Sequence, residues 1–268
     1  LIRFSPGDKP SNRGTFQIRG IQIASLRDDW VAGCQDGHFD ITVMVKKLDK
    51  SNSPITVFDV LDSWRQDGTE IDFDKEKARR YFQDLFSSRK IDSVIFPNKA
   101  MREDIGYKHC TTIYHHYYPW IKRNPIRKKI EKVGYEGDPR FLGEWKEKLE
   151  NICNFVIVDD LSKVDVAVAV RGSSYANFLS RSYKSNVKLA NCYGSGTPCI
   201  VWPEKSYLET AIRDVRFFTT EDEFSAHLSD LASYEIRKQI SDNFLIEAKK
   251  FSLYSIGAEY IKYFGELS

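Results

Sequence analysis

Short apolar runs alternate with amphipathic stretches along the whole chain. Residues 41–45 (ITVMV), 55–58 (ITVF) and 93–96 (SVIF) are rich in β-branched and aromatic side chains and are bounded by polar turn residues. That pattern predicts buried strands. A further strand is predicted at 112–114 (TIY), and a helix at 75–86 between two of the strands. The opening residues 2–5 are apolar and lead into PGDKPSNRG at 6–14, where Gly, Pro, Asp, Ser and Asn crowd together as they do in loops. Residues 15–27 then read as a helix, with Phe16, Ile18, Ile21, Ile23, Ala24 and Leu26 as its buried side.

The second half repeats the rhythm. VGYEGD at 133–138 reads as a strand running into a glycine-bounded turn, and 141–152 as a helix with Leu142, Trp145, Leu149 and Ile152 inward. Strands follow at 155–158 and 164–170, the latter expected to be buried on both faces. A helix from about 185, a strand at 198–202 and helices at 221–232 and 236–251 come next. The tail 253–264 is amphipathic, with Ile256, Tyr260, Ile261 and Phe264 on one side. Strands alternating with helices predict parallel sheets joined by crossover helices. The basic stretch 120–132, WIKRNPIRKKIEK, has little apolar periodicity and reads as a linker. A run of this kind is ordinarily a solvated face, though a phosphate-bearing or lipid-linked ligand would also suit it.

Composition narrows the partners. With 268 residues and 41% hydrophobic positions, each half can bury a core, which excludes a disordered chain. Forty basic residues against 38 acidic leave a net charge of +2. No nucleic-acid partner is expected from so even a balance, and any anion site must be local. No apolar run approaches the roughly 20 residues of a spanning helix, and the first residues do not read as a secretory signal. Five widely spaced cysteines without a CxxC argue against a disulfide framework or structural zinc and for a reducing compartment. Cys153, Cys192 and Cys199 are expected to be buried. The expectation is a cytoplasmic protein, with peripheral membrane contact left open.

Local chemistry concentrates in YKSNVKLANCYGSGTPCIVWPEKSYLE, residues 183–209. Ser185 and Asn186 are good N-caps; Gly194, Gly196 and Pro198 are stop signals. If Lys184 and Lys188 are both helical they share a face, where like charges repel, and Lys184 meets the positive end of the helix. An anion between them, held also by free helix N–H groups, makes sense of both lysines. Arg171, just after the run 164–170, would face the same edge.

A helix ending in small residues, then Gly196-Thr197-Pro198, an apolar strand and the trailing Tyr207-Leu208-Glu209-Thr210-Ala211, resembles the carboxy-terminal domain of GT-B glycosyltransferases. The likeness extends outward. VGYEGDP (133–139) is similar to the strand and glycine loop that open that domain in the family. SVIFPNKAMREDIG (93–106) and TIYHHYYP (112–119) are similar to the end of its first domain, and FSLYSIGAEYIKYF (251–264) to its terminal helix. The resemblance implies two Rossmann-like α/β domains with parallel sheets facing across a cleft, over 1–124 and 125–252, and a C-terminal helix, 253–268, crossing back to the first domain. It also implies transfer of a sugar from a UDP-, GDP- or CMP-linked donor to a carbohydrate or lipid-linked acceptor, with no metal or other cofactor. Many retaining members carry two glutamates on the donor helix; alignment on Gly196 and Pro198 puts Tyr183 and Asn191 there. With lysines on that helix instead, a more anionic donor, such as a CMP-linked acidic sugar, becomes compatible.

The expected donor-binding residues are Glu136, Gly137, Arg171, Lys184, Ser185, Asn186, Lys188, Asn191, Gly196, Thr197, Tyr207 and Glu209. The loop before the first helix adds Asn12, Arg13 and Gly14; it is neither G-x-G-x-x-G nor a Walker A. His116, Asp8 and Asp62 are the candidate acid–base groups. Histidine titrates near neutrality, and His115 and His116, being adjacent, point to opposite sides of a strand. Asp59 shares the strand-end position of Asp62, where capping or a local turn is the ordinary role of an aspartate. Asp159-Asp160 is not a DxD motif, which weighs against a metal-dependent GT-A enzyme. Two other readings fit the same features: a GT-B-fold sugar-nucleotide epimerase, and a binding subunit without catalysis.

Overall fold

A computed structural model describes residues 1–7, 14–33, 37–48, 51–61 and 74–267. Asp8, Asn12, Arg13 and Asp62 lie outside the described residues. The chain forms two compact units, one of residues 1–115, 178–185 and 253–268, the other of 116–177 and 186–252. This partition differs from a single cut at 124/125. The basic stretch 120–132 lies inside the second unit, and 178–185 is counted with the first.

The first unit holds strands β1 (Ile2–Ser5), β2 (Trp30–Ala32), β3 (Ile41–Val45), β4 (Ile55–Asp59), β5 (Ser93–Phe96) and β6 (Cys110–Thr112). All are parallel, in the order β2-β1-β3-β4-β5-β6. The second holds β7 (Val133–Glu136), β8 (Phe155–Val158), β9 (Val166–Ala169), β10 (Cys199–Val201) and β11 (Arg216–Phe217), parallel in the order β11-β10-β9-β7-β8. In each unit the second strand lies on one side of the first and the later strands on the other. Both sheets are therefore doubly wound, and each opens a crevice at the carboxyl ends between its first and third strands.

The helices are α1 (Gly14–Phe16), which continues as a π-helical stretch Gln17–Gln22, α2 (Lys75–Ser88), α3 (Lys99–Ile105), α4 (Trp145–Ile152), α5 (Phe178–Tyr183), α6 (Val187–Ser195), α7 (Lys205–Thr210), α8 (Glu221–Asp230), α9 (Tyr234–Glu247) and α10 (Leu253–Leu267). Several sequence expectations shift. β6 starts two residues before the predicted strand. The helix expected over 141–152 is a 3-10 turn, Pro139–Leu142, followed by α4, because Gly143 at φ 51° breaks the run. β9 starts only after Asp165, which is buried and accepts hydrogen bonds from the Glu131 and Lys132 amides and from Arg127.

The π-helical stretch rearranges the predicted buried face. The wider turn brings Arg19 and Gln22 inward and leaves Ile21 38% exposed. Space favours glycine at position 20, since a Cβ would lie 2.3 Å from the buried Phe16 ring and displace it. Arg19 is fully buried. Its Nε and Nη2 donate to the two oxygens of Asp59 at 3.0 and 3.1 Å, and its Nη1 donates to the carbonyls of Ile113 and Tyr114 at 3.1 and 2.9 Å. The Tyr260 hydroxyl of α10 donates to Asp59 Oδ2 at 2.5 Å, and the guanidinium lies over the Tyr260 ring. Asp59 is thus committed to a buried ion pair rather than to a strand-end cap or turn. Around it α10 buries Ile256, Tyr260, Tyr263 and Phe264 against Phe4, Trp30 and Ile41, while Ile261 faces out.

From Asn124 on, the basic stretch of the second unit is a strap pinned along the amino ends of the strands. Buried Asn124 donates its side-chain amide to the carbonyls of Leu161 and Val164 and to Thr197 Oγ1, and its backbone N–H to the Ser195 carbonyl. Arg127 pairs with Asp165 at 3.0 Å.

Replacing Asp59 by Ala strands the Arg19 charge in the core, and we expect a loss of about 3–5 kcal/mol. Tyr260→Phe removes one hydrogen bond to a charged group, with an expected loss of about 2 kcal/mol. Urea unfolding of both variants checks the order; equal, small losses would show that the pair does not hold the unit together.

Candidate functional site

The carboxyl ends of β7, β9 and β10 meet at the crevice of the second unit, and each delivers polar side chains. β7 ends in Tyr135 and Glu136, followed by Gly137 at φ 138°. A Cβ at Gly137 would lie 2.8 Å from Lys188 Nζ, so both the backbone angle and the space favour glycine. Lys188, on the first turn of α6, donates from Nζ to the Glu136 carbonyl at 2.5 Å and sits 3.5 Å from the centroid of the Tyr135 ring. Asn191 follows on the same helix face. Its Nδ2 donates to Glu136 Oε2 at 2.8 Å, and its Oδ1 accepts from the Tyr118 amide at 3.1 Å. Arg171 leaves β9 and donates from Nε to Glu204 Oε1, beyond β10, at 2.7 Å. The Glu204 side chain is 3% exposed, and its Oε2 has no hydrogen-bond partner among the described residues. Tyr207, also buried, lies on α7.

Two loops are fixed beside this cluster. The Gly172 amide donates to the Phe141 carbonyl at 2.9 Å, and Glu144 accepts from the Ser173 amide at 2.8 and 3.0 Å. The 3-10 turn after β7 and the segment after β9 are thereby held against each other.

Charges crowd this crevice. Burial, then the neighbouring Arg171 charge, push the Lys188 ammonium down to about 7, against the opposing pull of Glu136 and Glu204. Burial raises Glu136 from the usual carboxylate range, with Asn191 and Lys188 acting against the rise. Burial also pushes the Tyr135 hydroxyl up to about 12. A cation held near its neutral form is recharged when an anion arrives. The site therefore combines a lysine pushed toward its neutral form, a guanidinium paired with Glu204, and two buried carboxylates.

Of the residues expected from the sequence, the structure brings together Glu136, Gly137, Arg171, Lys188, Asn191 and Tyr207. Lys184 and Ser185 are not on the helix of Lys188. They lie in the break between α5 and α6, in the first unit, so the two lysines share no helix face. The break is tertiary in origin: Asn98, the buried N-cap of α3, donates its side-chain amide to the carbonyls of Ser182 and Lys184, both at 2.9 Å. Asn186 is the N-cap of α6, but its side chain makes no capping bond. Gly196 and Thr197 precede β10 and so lie at the amino edge of the sheet. There Thr197 is fully buried and bonded to Asn124 and Ser195. Glu209 is half-buried on α7, Gly14 is exposed at the start of α1, and His115 and His116 are both buried. Tyr183, at one glutamate position of the resemblance, is buried in the first unit and donates to Asp104. Sequence reading missed Glu204 and Tyr135. A strand-exit position is the signal both carry, Glu204 falling just beyond β10 as Arg171 does beyond β9. Among the described residues no group of three or more His, Cys, Asp or Glu could hold a metal ion, and no helix is long and apolar enough to cross a membrane.

No protein-family model and no curated protein matches this sequence. Solved structures do match in fold. HepE from Anabaena, in complex with UDP and glucose, superposes with a TM-score of 0.65 at 12% identity, over 98% of this chain and 99% of that one. WaaG, a glycosyltransferase involved in lipopolysaccharide biosynthesis, gives 0.57 at 11% identity, over 97% and 98%. Sucrose-phosphate synthase from Thermosynechococcus elongatus gives 0.60 at 10% identity, over 85% and 74%. The chain has the GT-B glycosyltransferase fold, an α/β architecture of two parallel sheets with flanking helices.

Between about pH 7 and 10 the unfolded chain keeps a proton at Lys188 that the folded chain has lost, so this residue's contribution to stability rises with pH. In Lys188→Met that contribution is gone. Urea midpoints of both proteins at about pH 7 and 9 should therefore show the unsubstituted protein gaining on the variant as pH rises. A pH-independent difference would mean that Lys188 titrates normally.

Proposed function

We propose that this protein transfers a sugar from a nucleotide-sugar donor to a carbohydrate or lipid-linked acceptor, without an essential metal. The observation that carries the reading is the pairing of Lys188 and Arg171 with Glu136 and Glu204 at the crevice of a doubly wound sheet. The fold adds support, because structures that share it hold UDP with glucose and UDP-glucose.

In this reading the donor diphosphate lies against Lys188 and Arg171, and Glu136 and the buried Glu204, whose Oε2 has no donor among the described residues, accept sugar or ribose hydroxyls. The acceptor oxygen bonds to the anomeric carbon while the bond from that carbon to the phosphate oxygen breaks. The electron pair leaves with the diphosphate, where fixed positive charge stabilises it; preorganised electrostatics of this kind usually lowers such barriers more than any other effect. The acceptor proton passes to a base, for which buried His116 is the candidate among the described residues. Asp8 and Asp62 remain candidates from the sequence. The carboxylate that the resemblance expects at position 191 is replaced by Asn191, which holds Glu136 in its place. Two carboxylates lining the site favour a neutral hydroxylated sugar over an acidic one. A cytoplasmic enzyme is part of this reading, with the free thiols of Cys110, Cys153, Cys192 and Cys199 in its support.

UDP-glucose is the first donor to test. Thermal shift together with UDP release, with and without a panel of sugar acceptors, separates the readings. Acceptor-dependent release is expected. Release without acceptor would favour hydrolysis or epimerase-like chemistry, a shift without turnover a binding subunit, and no shift with any nucleotide sugar would sink the proposal. Lys188→Ala should weaken UDP binding by about tenfold or more, roughly the worth of one charge-assisted contact.

A further inference from the structure

The amino edge of the second unit's sheet carries a second feature, at the opposite end of the strands from the crevice. An open groove of about 530 Å³ is lined by Ile130, Val133, Ile152, Cys153, Leu228 and Ala232, with Asn154, Ser225, Ser229 and Glu131 among its polar members. Its size falls in the range of ligand sites. The strap supplies one wall through Ile130, Glu131 and Val133, and the lysines that flank these in sequence, Lys128, Lys129 and Lys132, are exposed. Their ammonium groups make no ion pair or hydrogen bond among the described residues. By contrast Lys122 and Arg127 of the same basic stretch are paired with Asp160 and Asp165. Against these three charges the lining holds one acid, Glu131.

We infer that this edge docks on an anionic bilayer, with one lipid acyl chain in the groove and lipid phosphates on Lys128, Lys129 and Lys132. The strap cannot fold away from the groove, because Asn124, Arg127 and the Glu131 and Lys132 amides are bonded to the sheet edge. The backbone that carries these cations is therefore fixed beside apolar surface, an arrangement that favours anionic membranes. A nucleic acid fits less well: no aromatic ring is among the groove's lining residues to stack a base, and the net charge is only +2. This surface does not depend on the proposed transfer reaction.

Flotation with vesicles of phosphatidylcholine, alone or with about 30 mol% phosphatidylglycerol, tests it on the full chain. Binding should be at least about tenfold stronger to the anionic vesicles. Lys128→Glu with Lys129→Glu should reduce it to the neutral level. Ala232→Trp, which fills the groove from an exposed position, should weaken it several-fold while leaving the thermal midpoint and the UDP-glucose shift unchanged. Vesicles should also protect Cys153 from maleimide. Equal binding to both vesicle types, no binding, full binding by Ala232→Trp, or tighter binding of a single-stranded oligonucleotide would each overturn the inference. Loss of the UDP-glucose response alone would bear on the transfer reaction and not on this surface.

Discussion

A cation buried at the carboxyl end of a parallel sheet must be compensated, and each unit of this protein is organised around one. In the first unit the cation is Arg19. It uses both carboxylate oxygens of Asp59 and two carbonyls at the end of the β6 connection, and Tyr260 completes the carboxylate's bonding. Removing a charge from water is expensive unless its bonds are replaced with good geometry. The network therefore fixes the register between the π-helical stretch, β4 and α10 more tightly than apolar packing alone would.

In the second unit the cation is Lys188, and its compensation is incomplete. One carbonyl, one aromatic face and two nearby carboxylates hold it, while Arg171 pushes against it. The contrast has a functional sense. A fully satisfied pair such as Arg19–Asp59 has nothing left to offer a ligand. A lysine held near its neutral form, beside a carboxylate oxygen without a donor, gains from an incoming phosphate and hydroxyl. The same contrast separates Thr197, whose hydroxyl is used up within the fold, from Glu204.

The two edges of the second sheet divide the labour. Strand exits at Glu136, Arg171 and Glu204 gather the polar crevice. Strand entries at Val133, Asp165 and Pro198 are closed by the strap through Asn124 and Arg127, which turns a basic stretch into a rigid surface.

Much of this was legible in the chain itself. β-Branched runs marked the strands at 41–45, 93–96 and 155–158 at their observed limits, and alternation with helices implied parallel sheets. Arg171, Glu136 and Lys188 were readable as strand-exit or helix-start positions. The rest was decided by contacts between residues far apart in sequence. Asn98 ends α5 before Lys184 and so takes that lysine off the helix of Lys188. The π-helical turn carries Arg19 inward where periodicity of an ordinary helix placed Ile18 and Ile21. Asp165 and Asn124 pin a segment whose composition reads as a tether. In each case a buried polar group had to find its partner, and the partner lies tens of residues away, where local pattern carries no information about it.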